Sequence, residues 1–483
     1  MNREKSLDAM KNREEPFDVC VVGGGATGLG VAVDAAERGY SVALIEQADF
    51  AKATSSRSTK LVHGGVRYLK QGNVSLVREA LRERGRIMKN APHLAKELGF
   101  VIPIYKWFDG PFYGIGLKVY DALAGKLGIG KSAWLGKDET IAALPTIKRE
   151  GLRGGVRYFD GQFDDARFAI DLARTASQQG AHVANYVRCA GLMKEGGKIV
   201  GVKARDEEAG AEWELRARVV VNATGIFADQ LRKDDESGSK AMVQVSQGAH
   251  LVLPKEFLPA DCALMIPKTA DGRVLFAVPW KDVVIVGTTD TPQDEPQLEP
   301  RPLDEELEFI LSHTEKYMGR RPERNEVRSI YAGLRPLVRK PGSGENTSQL
   351  SRDHTIVVAR SGLLTVTGGK WTTYRKMAED VVDRVSGIMG DDQRPCGTVD
   401  LAIEDQEGDA SVNTFVRREM ARTVEDVLAR RHRTLLTDAR AAKEQAPEVA
   451  KAMASLLGRD ESWQREQVAD FQKLATGYHM SGM

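Results

Sequence analysis

The sequence predicts an α/β fold with an added α-helical region (α/β + α). A Rossmann-like unit is assembled from discontinuous segments, a β-rich middle interrupts it, and a helical domain ends the chain. Three observations predict this. Asp18-Val-Cys-Val-Val22 reads as a short buried strand running into glycines, a helical stretch and a second strand. The stretch from His250 to Asp290 is the most β-like in the chain. Beyond residue 410 only helical patterns remain.

In chain order, residues 1–15 are polar and charged and read as a flexible arm. Ala32 to Arg38 is helical, Gly39 stops it as a C-cap glycine does, and Ser41 to Glu46 is the second strand. Residues 74–98 and 115–127 read as helices separated by an aromatic and glycine-rich stretch, and 166–180 as another helix. Ile199 to Ala204 and Trp213 to Val221 alternate as strands do. Val274 to Val278 and Val283 to Val286 flank Pro279-Trp-Lys-Asp282 as a hairpin. Strands follow at Thr355–Val358 and Leu363–Thr367, then a helix after Thr372. Met420, Val424, Val427 and Leu428 recur at the spacing of one buried helix face, and Pro447 suits a helix N1 position. The boundaries expected are 16–100, 151–245 and 345–392 for the nucleotide domain. The middle domain takes 101–150 and 246–344, and the helical domain 393–483.

In a chain of 483 residues, Lys plus Arg number 69 and Asp plus Glu 68, a net charge of +1 that gives no support to nucleic acid as partner. The four cysteines, Cys20, Cys189, Cys262 and Cys396, form no C-x-x-C pair, so no metal cluster is expected. Sparse thiols suit a reducing cytoplasm. The N-terminus lacks the apolar core of a signal peptide, and no apolar run reaches the length of a spanning helix.

Gly23-Gly-Gly25-Ala-Thr-Gly28 fits G-x-G-x-x-G between a strand and a helix. Gly23 permits the turn, Gly25 lets a pyrophosphate approach, and Gly28 allows close helix–strand packing. The helix N-terminus offers N–H groups to phosphate, and Glu46, with Gln47 beside it, offers acceptors to a ribose. The fingerprint opens the folded chain, and glycine turns return only at Asn222-Ala-Thr-Gly225 and Gly368-Gly-Lys370. A sheet built from such distant segments favours FAD over a nicotinamide cofactor.

Thr54-Ser-Ser-Arg-Ser-Thr-Lys-Leu-Val-His-Gly-Gly-Val-Arg-Tyr-Leu69 resembles the signature of FAD-dependent glycerol-3-phosphate dehydrogenases. So do Asn222 to Gly225, Gly287-Thr-Thr-Asp290, Gly333-Leu-Arg-Pro336 and Gly368-Gly-Lys-Trp-Thr-Thr-Tyr-Arg375, in the family's order. Trp371 departs from the aliphatic residue commoner there. The resemblance implies a flavin domain, an antiparallel β-sheet substrate domain and a helical C-terminal domain. It further implies oxidation of sn-glycerol 3-phosphate to dihydroxyacetone phosphate, with electrons passed to a quinone at the cytoplasmic face of a membrane. It leaves a homodimer open.

Taking a hydride from a secondary alcohol requires a base for the hydroxyl proton and cations for the phosphate. Arg67, Arg335 and Lys370 sit in tight turns after expected strands and are the cations; Tyr68 adds a hydrogen bond. His250 is the preferred base, with Arg335 stabilising the alkoxide and His63 holding flavin or substrate, and the two histidines compete for the role. Ser55, Ser56, Ser58, Thr59 and Lys60 are expected around the pyrophosphate and flavin. Val187, Ala223, Gly225, Gly368, Gly369, Lys370 and Thr372 complete the cofactor contacts, and no metal is expected.

Two other activities compete: a soluble oxidase of the same substrate that reduces oxygen to peroxide, and a non-catalytic flavin-binding redox sensor. Membrane contact would have to be monotopic. Residues 107–127, including Leu117 and Tyr120 beside Lys118, are the first candidate, and the basic residues Arg417, Arg418, Arg430 and Arg431 the second.

Overall fold

Strand Phe17–Val22 is an apolar run buried along nearly its whole length, as the centre of a parallel sheet requires. In the computed structural model, which describes residues 1–65, 73–106, 109–267, 269, 272–339, 354–391, 394–405 and 409–480, it lies at that centre. Strands Val42–Glu46 and His182–Asn185 lie on one side of it in parallel, and Glu212–Asn222 and Leu364–Gly368 on the other. His354–Val358 closes that edge antiparallel. The start of Glu212–Asn222 peels away into an antiparallel extension with Lys198–Asp206 and Val187–Glu195. Helices Ala26–Glu37, Asp165–Gln178 and Tyr374–Met389 share one core with the sheet through Leu29, Phe168 and Val381.

The second sheet is mostly antiparallel. Its centre runs through Val243–Pro254, Val283–Gly287, Leu275–Trp280, Cys262–Ile266, Ala95–Ile104 and Gly154–Phe163. Ser329–Val338 pairs along the other edge of Val243–Pro254, so that Ser246 faces Arg335 and Gly248 faces Gly333. Leu307, Ile310 and Leu311 of helix Asp304–Met318 cover one face, packing on Leu251, Leu253 and Val284. The hairpin expected at Pro279–Asp282 is present.

The helical domain comprises Val412–Glu419, a π-turn at Asp426–Arg431, Thr434–Thr437, Ala439–Leu457 and Glu461–Thr476. Its core includes Val252, Trp280 and Ile285 of the second sheet. It is tied to the nucleotide domain by Asp49, whose carboxylate receives Arg430 Nε at 2.6 Å and Arg431 Nη2 at 3.0 Å. Both arginines are buried, which removes them from the surface where a membrane contact was expected.

Four further expectations are corrected. Residues 1–15 are not a free arm: Arg3–Asn12 is a helix with Leu7 and Met10 buried, and Arg3 pairs with Asp206 at 2.7 Å. The helix expected over 74–98 stops at Asn90, before Pro92, which cannot continue it. Ala95–Ile104 and Gly154–Phe163, expected largely within the nucleotide domain, instead pair with each other in the second sheet. Both are buried for most of their length, so neither shows the alternation that marks a strand with one wet face. Pro447 falls inside Ala439–Leu457, and Met420 breaks its expected helix in a left-handed conformation (φ 57°), although it and its three partners are buried.

Candidate active site

Gly23 has φ 114°, and a Cβ there would lie 2.6 Å from the Ala223 carbonyl oxygen; only glycine fits where the two parallel strands end side by side. A Cβ on Gly28 would come within 1.9 Å of the Gly23 oxygen, which is the close helix–strand packing expected. Gly25 opens the helix Ala26–Glu37, and within 4 Å its Cβ would meet only Ser55 Oγ, at 3.1 Å. That leaves a cradle of backbone N–H groups able to receive a pyrophosphate.

Glu46 ends its strand with Oε2 accepting from Gly24 N at 2.7 Å and Oε1 from Ala48 N at 2.9 Å. Burial raises its pKa, and the two N–H donors oppose that. With Gln47, Val187 and Gly23 it lines a cavity of about 100 Å³. Gly25, Thr54, Ser55, Ala223 and Gly225 line both this cavity and a neighbouring one of about 360 Å³. The two make one extended groove suited to a dinucleotide.

The loop between them is held from several directions. Ser55 Oγ accepts from Ala26 N at 3.0 Å, and Trp371 Nε1 donates to the Ser55 carbonyl at 2.8 Å. Trp371, the family's departure, is thus a support for the loop. Ser58 and Thr59 reach the larger cavity, but Ser56 and Lys60 do not. Lys60 is wholly buried and donates to Asp165 Oδ2 at 2.7 Å and to the Ser56 carbonyl at 2.9 Å. The expected cofactor contact of Lys60 is therefore corrected, since Asp165 behind the loop turns its side chain inward, and Ser56 is buried and lines neither cavity.

At the far end His250 is 2% exposed, stacked on Tyr331 with centroids 4.5 Å apart and planes 12° from parallel. Its Nε2 is 2.9 Å from Thr59 Oγ1. Burial, then the charges of Lys60 and Arg335, hold its pKa well below the ordinary imidazole value, so the ring is neutral and able to accept a proton. Arg335 Nη2 donates to Thr288 Oγ1 at 2.9 Å and to the Thr289 carbonyl at 3.1 Å, and Nη1 lies 3.6 Å from Asp290. A Cβ on Gly248 would sit 2.2 Å from Arg335 Nη2, so this glycine lets the guanidinium lie across the strand into the cavity.

His63, Gly368, Gly369, Lys370 and Thr372 line the same cavity, and His63 N donates to Thr372 Oγ1 at 3.1 Å. Arg67 and Tyr68 lie outside the described residues. Sequence reasoning missed Thr288, Arg273 and Asp160, all at the cavity wall. Thr288 stood inside Gly287-Thr-Thr-Asp290 and was legible there. Arg273 and Asp160 carried no signal, because their placement depends on strand pairing. Asp160 is buried, which raises its pKa against the pull of Arg84 at 2.7 Å.

A neutral imidazole near Arg335, in a cavity that Lys370 also lines, can take a proton from a hydroxyl while the cations stabilise developing negative charge. The groove and its glycine cradle fit FAD.

Residues 18–375 match the family described as FAD dependent oxidoreductase, and residues 373–464 match the C-terminal domain of alpha-glycerophosphate oxidase. The mitochondrial glycerol-3-phosphate dehydrogenase of Mesocricetus auratus is 40% identical over 473 residues, covering 95% of this chain and 64% of that protein. The chain thus spans less than two thirds of that relative's length. The structure of the glycerol-3-phosphate dehydrogenase from Bacillus halodurans complexed with FAD superposes with a TM-score of 0.81 at 27% identity. It covers 99% of this chain and 97% of that one. L-alpha-glycerophosphate oxidase from Mycoplasma pneumoniae shares the fold, with a TM-score of 0.61 at 15% identity, 80% of this chain and 98% of that one.

Proposed function

Because the chain belongs to the FAD dependent oxidoreductase family, we propose that it oxidises sn-glycerol 3-phosphate to dihydroxyacetone phosphate and passes the electrons to a membrane quinone. FAD, when bound, supplies the acceptor for the hydride. The observation that carries the reading is that His250, Arg335 and Lys370 line one cavity, which shares Gly25 and Ser55 with the neighbouring cavity that holds Glu46. Gly25, Ser55 and the helix N-terminus receive the pyrophosphate, Gly23 and Gly28 hold the turn and the helix close enough for it, and Glu46 receives the adenosine ribose. Lys370 and Arg335 draw the phosphate and hydroxyl ends of the substrate into place, and Arg67 and Tyr68 join them at the phosphate. His250 accepts the hydroxyl proton and Arg335 stabilises the alkoxide, while His63 orients the reacting parts. The names borne by the relatives support this choice of substrate.

No helix among the described residues is long and apolar enough to cross a membrane. A monotopic contact is supported by helix Asp109–Ala124, where Val119 is 47% exposed, and by nearby Trp134, 49% exposed and packed on Gly114. Leu117 and Tyr120 of that helix are buried and take no part in such a contact.

Anaerobic titration with sn-glycerol 3-phosphate is the test. The flavin absorption should bleach stoichiometrically, and glycerol should leave it unchanged; no bleaching by the phosphate ester overturns the reading. The oxidase reading is favoured by the match of residues 373–464. Turnover in air yielding stoichiometric peroxide, unstimulated by a quinone analogue or lipid vesicles, would put it in place of the quinone reductase.

A further inference from the structure

Behind His250 lies a buried cluster of charge that the reaction as described above does not use. Lys60 Nζ lies 5.3 Å from the Tyr331 ring centroid, and Tyr331 stacks in turn on His250. Ammonium, phenol and imidazole therefore form a column that ends at the cavity. Asp165 holds the ammonium, and its other oxygen receives Arg433 Nη2 at 2.7 Å from the helical domain. Arg433 also donates to the Ser56 carbonyl at 3.2 Å. Lys60 has φ 63°, a conformation uncommon for a residue with a side chain. Such strain persists only where its surroundings over-determine it, here by a doubly anchored ammonium.

The charges around the column do not cancel. Arg433 Nε lies 3.3 Å from Asp164, which Lys281 approaches at 3.6 Å. Lys60, Arg433 and Lys281 thus face Asp164 and Asp165, leaving an excess of positive charge on this side. From the other sheet edge His250 faces Arg335, itself 3.6 Å from Asp290. The neighbouring strand presents Gly287 and brings no charge.

We propose that Lys60 is a positioning residue for His250: its buried ammonium, stacked behind Tyr331, keeps the imidazole uncharged and ready to accept the substrate's hydroxyl proton. This rests on the assignment of His250 as base. The column also makes the helical domain part of the active site, because Arg433 anchors the carboxylate that anchors Lys60. The low pKa of His250 agrees with the arrangement, its causes after burial being Lys60 and then Arg335.

The test is an NMR pH titration of ring-labelled histidine in the FAD-loaded protein, with His250→Asn assigning the signal. Lys60→Met should raise the His250 midpoint by about one pH unit, roughly a tenfold change in the fraction charged, as a unit charge one stacked ring away in a protein interior implies. Asp165→Asn, which removes a negative charge, should lower the midpoint or leave it in place. A rise in the Lys60 variants without a rise in Asp165→Asn distinguishes charge from mere support, since a purely structural role would move both variants in the same direction. Lys60→Gln supplies the same measurement if the methionine variant loses its fold. An unmoved midpoint in the Lys60 variants, or an equal rise in Asp165→Asn, overturns the proposal. If the wild-type flavin is not bleached by glycerol 3-phosphate but the midpoint moves as expected, the substrate reading falls and the charge coupling stands.

Discussion

At the nucleotide end of the groove the lining comes from backbone and from missing side chains: Gly23 and Gly25, with Gly28 packed behind them, and the turn Ala223–Gly225, with Glu46 as the acid. At the substrate end they come from side chains delivered by separate pieces of chain. His250 and Arg335 arrive on two paired strands, and Thr59, His63, Thr288 and Lys370 on connecting segments far apart in the chain. A phosphate cradle of N–H groups needs one local conformation, which a short motif can specify. A site of the kind proposed, which abstracts a proton and holds an anion, needs several functional groups in mutual register. The first end should therefore fail all at once when one atom is added, and the second should fail by degrees.

The largest expected effect is at Gly28. Gly28→Val places methyl groups where a Cβ alone meets the Gly23 oxygen at 1.9 Å, and should give neither bound flavin nor a cooperative melting transition. Gly25→Val, whose Cβ faces the groove, should melt normally and carry no flavin. Full flavin occupancy in Gly25→Val would remove the distinction drawn between the two ends.

Next comes His250. Replacement by Asn should slow flavin reduction by about 10²–10⁴-fold in rapid-mixing experiments, with flavin content unchanged. If His63→Asn behaves in that way and His250→Asn does not, the two roles are to be exchanged. Arg335→Ala should lose about 1.5–3 kcal/mol of charge-assisted binding, or roughly 10–100-fold in kcat/KM. Arg335→Lys should recover only part of it, because a lysine cannot reach Thr288 Oγ1 and the Thr289 carbonyl in the same fork.

A smaller effect tests the clamp that joins the helical domain to the nucleotide end. Burial pushes the Asp49 carboxyl up, but Arg431 and Arg430 outweigh it, and the net shift is downward. A depressed carboxylate pKa contributes stability that is complete above the unfolded value, near 4, and is lost as pH falls through the folded value. Melting temperature should therefore drop on acidification below about pH 4, and drop less steeply in Asp49→Asn. An equal slope in the variant would show that the clamp does not govern acid stability. Trp371→Leu should have the smallest effect. Losing one hydrogen bond to the Ser55 carbonyl costs about 1 kcal/mol, to be read as weaker flavin retention with little change in turnover.

The nucleotide end was legible because its signal is local. Strand, glycines, helix and Glu46 follow one another, and a Cβ at Gly23 or Gly28 would meet Ala223 or Gly23 itself. The strands of the hairpin at Pro279–Asp282 were legible for the same reason. Ala95–Ile104 and Gly154–Phe163 were not, because their partners are distant and their runs lack alternation. The N-terminal helix was hidden by its charge, since Arg3 finds Asp206 only in the folded chain. Lys60 shows the limit most plainly: a lysine inside a phosphate-rich motif context reads as a ligand, and only the fold turns it toward Asp165.

The amino-acid sequence by itself determined the glycine turn between strand and helix, the family and the helical end of the chain, and it singled out His250, Arg335 and Lys370, which line one cavity. The tertiary structure decided which hydroxyls of the 54–60 loop face the groove, what Trp371 supports, where the two sheets divide the chain, and how the helical domain reaches Asp165 and the 54–60 loop through Arg433. The physical reason is range. Backbone turns and glycine contacts are settled among residues close in sequence, whereas buried charges and strand registers are settled by partners that only folding brings within a few ångströms.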